Sequence, residues 1–230
     1  MTTDAPDYGA AYRELREALC AFVSGLTPAQ RDQSLPACSD WTAWHVLAHV
    51  AGIPADVLVG KLDVVGTDAW TQAHIDARIG KSVAEIVAEW ATTGAQMETL
   101  AAGAPPAMAI ALIGDLCTHD FDVRGAFGDT ATRASAGAGI TFDYYASTLG
   151  QRLTPLGLAL TVSTDEGDTV QVGAEGGAAA TVTTSRFELT RALTGRRSAD
   201  QIRAFAWTGD AAPYVEVFAM YPMRATALVE

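Results

Sequence analysis

ALIGDLCTHDFDVRGAFG, residues 111–128, places Asp115, His119 and Asp122 at positions i, i+4 and i+7 of a run whose other positions are largely apolar. On a helix these three side chains share one face. Upstream, SDWTAWHVLAHVAG (residues 39–52) carries His45 and His49, again on an apolar helical pattern. Two helices that meet would bring one carboxylate and two imidazoles to a common point. Such a set, His49, Asp115 and His119, offers three ligands to a divalent ion and leaves a fourth position for water or substrate, as in a catalytic rather than a structural zinc site. The plainer alternative is a histidine satisfied within the core and an ordinary Asp–His helix contact.

The 230 residues, 49% of them hydrophobic, suffice for a substantial core in one large or two small domains. The net charge of −12, with Lys61 and Lys81 as the only lysines, argues against nucleic acid as a partner. An anionic substrate would need local arginines to overcome that field. Cys20, Cys38 and Cys117 are an odd set, and the start MTTDAPDYGAAYRELREAL is polar, without the apolar stretch of a secretory signal. The cytoplasm is the expected compartment. No run of eighteen apolar residues is present, so a membrane span is not expected.

Helical patterns cover the first two thirds. Tyr12, Leu15, Leu19, Phe22 and Val23 recur at helical spacing between Tyr8 and about Leu26. TPAQ offers Thr27 as an N-cap, Pro28 at the first helical position and Gln30 to close a capping box. A helix around Ser39 and Asp40 would run through Trp41, Trp44 and Leu47 to Gly52, or past a kink at Pro54. Ser82 with Glu85 opens another, reaching about Leu100, and Pro105–Pro106 starts the helix of Asp115 and His119. Four principal helices fit an antiparallel bundle, which carries metal ligands on its inward faces. Beyond residue 156 the texture changes. GLALTVSTDEGDTVQVGAEGGAAATVTT (157–184) alternates apolar and polar residues between turn signals. Capping boxes at Ser185/Glu188 and Ser198/Gln201, with a stop at Gly195, then return the chain to helix. The predicted fold class is α+β: a helical metal-binding domain over 1–155 and a smaller α+β domain over 156–230.

Three separated motifs resemble the mycothiol-dependent maleylpyruvate isomerase family, whose members join a DinB-like four-helix bundle to a small C-terminal domain. CSDWTAWHVLAHVAG (38–52) is similar to the first ligand motif, with its histidine at His49. DLCTHDFDVRGAFG (115–128) is similar to the second: an acidic ligand four residues before a histidine, an aspartate three after it and a closing glycine, here Asp115, His119, Asp122 and Gly128. LTRALTGRRSADQIRAFAWTGD (189–210) resembles the C-terminal segment with its Gly-Arg-Arg-Ser and later Trp-x-Gly-Asp. One departure stands out: the family's acidic ligand is usually glutamate, and Asp115 is one methylene shorter. At zinc–oxygen distances of about 2.0–2.2 Å, the shorter arm requires the helix to move inward, a water to intervene or another ion to be preferred.

The resemblance implies a divalent metal, Zn2+ by the ligand types, and mycothiol as thiol cosubstrate acting on a small-molecule electrophile. A zinc-held sulfur is thiolate at neutral pH and therefore nucleophilic. Addition, bond rotation and elimination give cis–trans isomerisation; stopping at the adduct gives S-transfer. Asp122 orients a ligand imidazole or handles a proton, or else is a surface carboxylate near Arg124. Arg191 and Arg196 are the candidate contacts to the cofactor's anionic or sugar groups, with Arg196 the better motif match. Arg197 reads as a helix-end charge. His45 flanks the site, His74 reads as an exposed loop histidine, and Trp41 and Trp44 read as core anchors. A monomer or homodimer is expected. Two other readings stay open: a metalloenzyme on the same scaffold that uses no mycothiol, and a non-catalytic metal- or ligand-binding module.

Overall fold

The computed structural model describes residues 6–230, so the first five residues of the polar N-terminal stretch lie outside it. The architecture is α+β, with a helical bundle followed by a smaller strand-containing unit. Two compact units divide the chain after Gly137. The division is earlier than the 155/156 boundary expected from the change in sequence texture.

Unit 1 contains α1 (Tyr8–Gly25), α2 (Pro28–Asp32), β1 (Ser34–Leu35), β2 (Cys38–Thr42), α3 (Ala43–Leu58), α4 (Asp68–Asp76), α5 (Val83–Gly103) and α6 (Pro106–Gly125). The long helices α1, α3, α5 and α6 pack on one another. In α1 the buried Tyr12, Leu15, Leu19 and Val23 follow the helical repeat and form its inner stripe. Polar ties join the helices where apolar packing alone would let them slide. Trp90 Nε1 on α5 donates to Tyr12 Oη on α1 at 2.9 Å, and Glu98 on α5 receives both Arg13 and Arg16 of α1. The capping boxes at Thr27/Gln30 and Ser82/Glu85 form as read from the sequence.

The α3 start differs. Residues 38–42 pair with β1 instead of entering the helix, so Trp41 lies on a strand, and Thr42 caps a helix beginning at Ala43. His45 supplies the box: its Nδ1 accepts from the Thr42 N–H at 3.1 Å. The helix continues through Pro54 to Leu58. The segment around His74, expected as a loop, is the helix α4, capped by Thr67.

Unit 2 contains α7 (Ala136–Leu153), β3 (Leu158–Thr164), β4 (Thr169–Gly173), β5 (Ala178–Thr184), α8 (Arg186–Leu193), α9 (Ala199–Arg203), β6 (Ala206–Thr208) and α10 (Ala212–Phe218), with a 3-10 turn at Thr154–Leu156. Phe142, Tyr145, Leu149 and Leu153 of α7 share one core with Leu160, Val162, Val182, Leu189 and Phe218, which is why the division falls in the first turn of α7 and leaves the rest of the helix with the sheet. The sheet order is β4-β3-β5-β6, with β3 and β5 parallel and the outer pairs antiparallel. To reach the far side of β3, the chain after β4 passes close to the start of that strand. A Cβ at Gly177 would stand 2.5 Å from the Gly157 carbonyl oxygen, so glycine is required by the close approach. The Ser198/Gln201 box is complete, but at Ser185 only the forward half forms. The Glu188 carboxylate turns away to accept from Arg197 Nε at 2.6 Å and Nη2 at 2.7 Å.

Candidate metal centre

Both ligand-bearing helices belong to unit 1, α3 with His49 and α6 with Asp115 and His119. The i, i+4 spacing puts Asp115 and His119 on one face of α6, and the packing of α3 on α6 brings His49 opposite them. One ligand atom from each of the three residues lies within 4.8 Å of the other two. His49 Nε2 is 3.8 Å from Asp115 Oδ2, and His119 Nε2 is 3.8 Å from Asp115 Oδ1. The shorter aspartate arm therefore stands between the two imidazoles. Tetrahedral ligands at zinc bond lengths sit roughly 3.3 Å apart, so side-chain movements of up to about an ångström would close this set around an ion. The donor types fit zinc as well as the spacing does.

The two histidines are sheltered, with side chains 4% and 13% exposed, whereas that of Asp115 is 40% exposed. Access to the cluster is from the aspartate side. Trp41, held by the β1–β2 hairpin, stacks on His119 with ring centroids 5.5 Å apart and lies 5.3 Å from His49. It walls one side of the imidazole pair. Trp44 is turned to a different task, its Nε1 donating to the Lys81 carbonyl at 3.1 Å.

Behind the cluster stand polar groups of two kinds. Asp122 is fully buried, and its Oδ2 is 3.3 Å from His119 Nδ1. The distance suits charge pairing, but the alignment falls short of a hydrogen bond, which leaves the interaction chiefly electrostatic. The alternative of a surface carboxylate near Arg124 does not hold; Arg124 pairs with Asp120 and Asp129. His74, expected on an exposed loop, is instead 3% exposed on α4. Its Nδ1 lies 3.2 Å from His49 Nδ1 and its Nε2 lies 3.2 Å from Asp56 Oδ2. Trp70 and His74 at i, i+4 with Thr67 as a cap were the sequence signals that could have placed it on a helix face.

Burial pushes His49 down to about 2, with His119, His74 and Arg78 adding to the effect. Burial lowers His74 as well, against the opposing pull of Asp56. Neutral imidazoles are the form that ligates metal.

The arginines named from the sequence lie in unit 2, and they differ in state. Arg191 is fully buried and its Nε and Nη2 meet the Glu230 carboxylate at 2.9 and 2.5 Å. Arg197 shares that carboxylate at 2.8 Å and joins Glu188, so it is a buried ion-pair partner as well as a helix-end charge. Arg196 is partly exposed and donates from Nη1 to the Thr194 carbonyl at 2.7 Å.

Fold and site together define an α+β protein whose helical bundle holds a His/His/Asp cluster capable of coordinating a metal ion. Residues 12–116 match the family model described as the mycothiol maleylpyruvate isomerase N-terminal domain, a segment that includes His49, His74 and Asp115. No curated protein sequence matches. Two crystal structures of the mycothiol-dependent maleylpyruvate isomerase, one of a histidine-to-alanine mutant, share the fold with TM-scores of 0.57 and 0.56. Each is 16% identical, over 85% of this chain and 92% of the other.

Proposed function

We propose that the protein is a metal-dependent, thiol-using enzyme, a mycothiol-dependent isomerase or S-transferase acting on a small electrophile. The observation that carries this reading is the convergence of His49, Asp115 and His119 within 4.8 Å, in a unit matched by that family's N-terminal domain model. A divalent ion held by these residues, Zn2+ by their chemistry, would supply Lewis acidity and keep a thiol as thiolate at neutral pH. His49 and His119 would hold it through Nε2, and Asp115 would add one anionic oxygen. Buried Asp122 acts through His119 by fixing the ring's orientation and favouring a proton on Nδ1. Trp41 keeps water from one side of the imidazoles. Of the two arginines, Arg196 is the candidate contact for an anionic or sugar group, because it is partly exposed whereas Arg191 is fully buried against Glu230.

The test has two stages. After metal-replete preparation, wild type is expected to carry about one ion per chain and His49→Ala far less; two metal-free proteins would end the proposal. Electrophile consumption is then expected only with thiol and metal together. Equal turnover without thiol would favour a metalloenzyme of another chemistry, and no turnover across electrophiles a binding protein.

A further inference from the structure

We propose that His74 and Asp56 are positioning residues that fix the tautomer of His49, aiming its Nε2 lone pair at the cluster with Asp115 and His119. The inference deepens the metal-site reading and rests on it for its purpose, although the hydrogen-bond chain stands on geometry alone. Asp56 can only accept when ionised, and Lys61 Nζ stands 3.3 Å from its other oxygen. His74 Nε2, 3.2 Å from Asp56 Oδ2, must therefore be the donor. A ring with one proton then has Nδ1 as its acceptor. The facing atom, His49 Nδ1 at 3.2 Å, has to donate. The single proton of His49 is thereby placed on Nδ1, and Nε2, which lies 3.8 Å from Asp115 Oδ2, keeps its lone pair. The opposite polarity would put a proton on the atom that must bind the ion. His119 has a carboxylate of its own behind it, Asp122 at 3.3 Å without hydrogen-bond alignment, whereas His49 reaches one by hydrogen bonds through an intervening histidine.

Three further features hold His74 in this place. Gly52, three residues past His49 on α3, leaves room for the ring: a Cβ there would stand 2.6 Å from both His74 Cβ and Cδ2. Arg78 reaches back from the end of α4, donating to the His74 carbonyl at 2.9 Å and to the Ala51 carbonyl on α3 at 3.3 Å. Trp70, one turn before His74, meets its ring edge-on with centroids 4.3 Å apart.

The deciding experiment reads the tautomer directly. In 15N-labelled metal-free protein, two-bond 1H–15N correlations are expected to show His49 protonated on Nδ1. His74→Phe keeps a ring against Gly52 and Trp70 but removes both nitrogens. It is expected to redistribute the His49 proton toward Nε2 and to weaken Zn2+ binding, measured by chelator competition, by about 10- to 100-fold. Asp56→Ala, which leaves the His74 ring in place, is expected to act in the same direction. A wild-type His49 protonated on Nε2, or a folded His74→Phe protein binding Zn2+ as tightly as wild type, overturns the proposal. If wild type itself takes up no Zn2+, the metal-site reading fails separately, and the tautomer measurement alone decides the relay.

Discussion

His49 carries an electrostatic signature that can be measured without any metal. In the folded protein its pKa is pushed down to about 2, against 6.5 for an ordinary histidine. Between those values the unfolded chain binds a proton that the folded one refuses, so stability is complete above about pH 6.5 and falls as the solution is acidified. For one such histidine the loss at pH 5.5 is about 1.4 kcal/mol. Urea denaturation in chelator at pH 7.5 and 5.5 should show this loss in wild type, and the difference should shrink by that amount in His49→Phe. Carboxylates such as Asp168, held at about 2 by hydrogen bonds from Arg186 and Thr164, add their own dependence only at lower pH. At His119 the expected lesion is different: Asp122→Asn should weaken Zn2+ binding about 10- to 100-fold while the fold persists, measured by chelator competition with circular dichroism as control. His49, Asp115 and His119 were legible because helical spacing and motif order both pointed to them. His74 was not, since its role depends on a gap above Gly52 that exists only after α3 and α4 pack. For Arg191 the sequence shows a donor fork, and only the fold shows the Glu230 carboxylate set against it.

Among the helices, the legible ones announce their ends. Thr27, Ser82 and Ser198 with their partners three residues on all form reciprocal caps, and Pro106 opens α6. No cap or clean stripe announces α7, because AGAGITFDYYASTLGQRL mixes glycine with alanine, which lowers propensity and blurs the apolar face. The same residue type marks opposite effects at two places. Gly139→Ala on α7 meets nothing within 4 Å and should stabilise by about 0.5–1 kcal/mol. Gly52→Ala gains the same helical preference but drives a methyl into His74, and should cost about 1–3 kcal/mol net. Urea melts of the two variants test the contrast; a stabilised Gly52→Ala would show that the His74 ring moves aside at no cost. At the start of α3 the sequence misled in the other direction, because Ser39 and Asp40 look like caps but the hairpin with β1 claims them first.

At the scale of the whole molecule, the class of fold was readable from the switch between helical and alternating periodicity, but the division between its units was not. Texture changes where strands begin; packing changes earlier, where α7 joins the core of the sheet. All three candidate ligands fall in unit 1, so metal binding should appear as added stability of that unit. With free Zn2+ at about a hundred times its dissociation constant the gain is roughly 2.7 kcal/mol, and His49→Ala should abolish it in a thermal melt. The topology of unit 2 has a consequence of another kind. Strand β3 lies between two strands that both follow it in the chain, the second reached only after the polypeptide doubles back past β3's own beginning. As the nascent chain leaves the ribosome, β3 must wait with one edge bare until about residue 184 has emerged, and in that interval it is open to capture by a neighbouring chain.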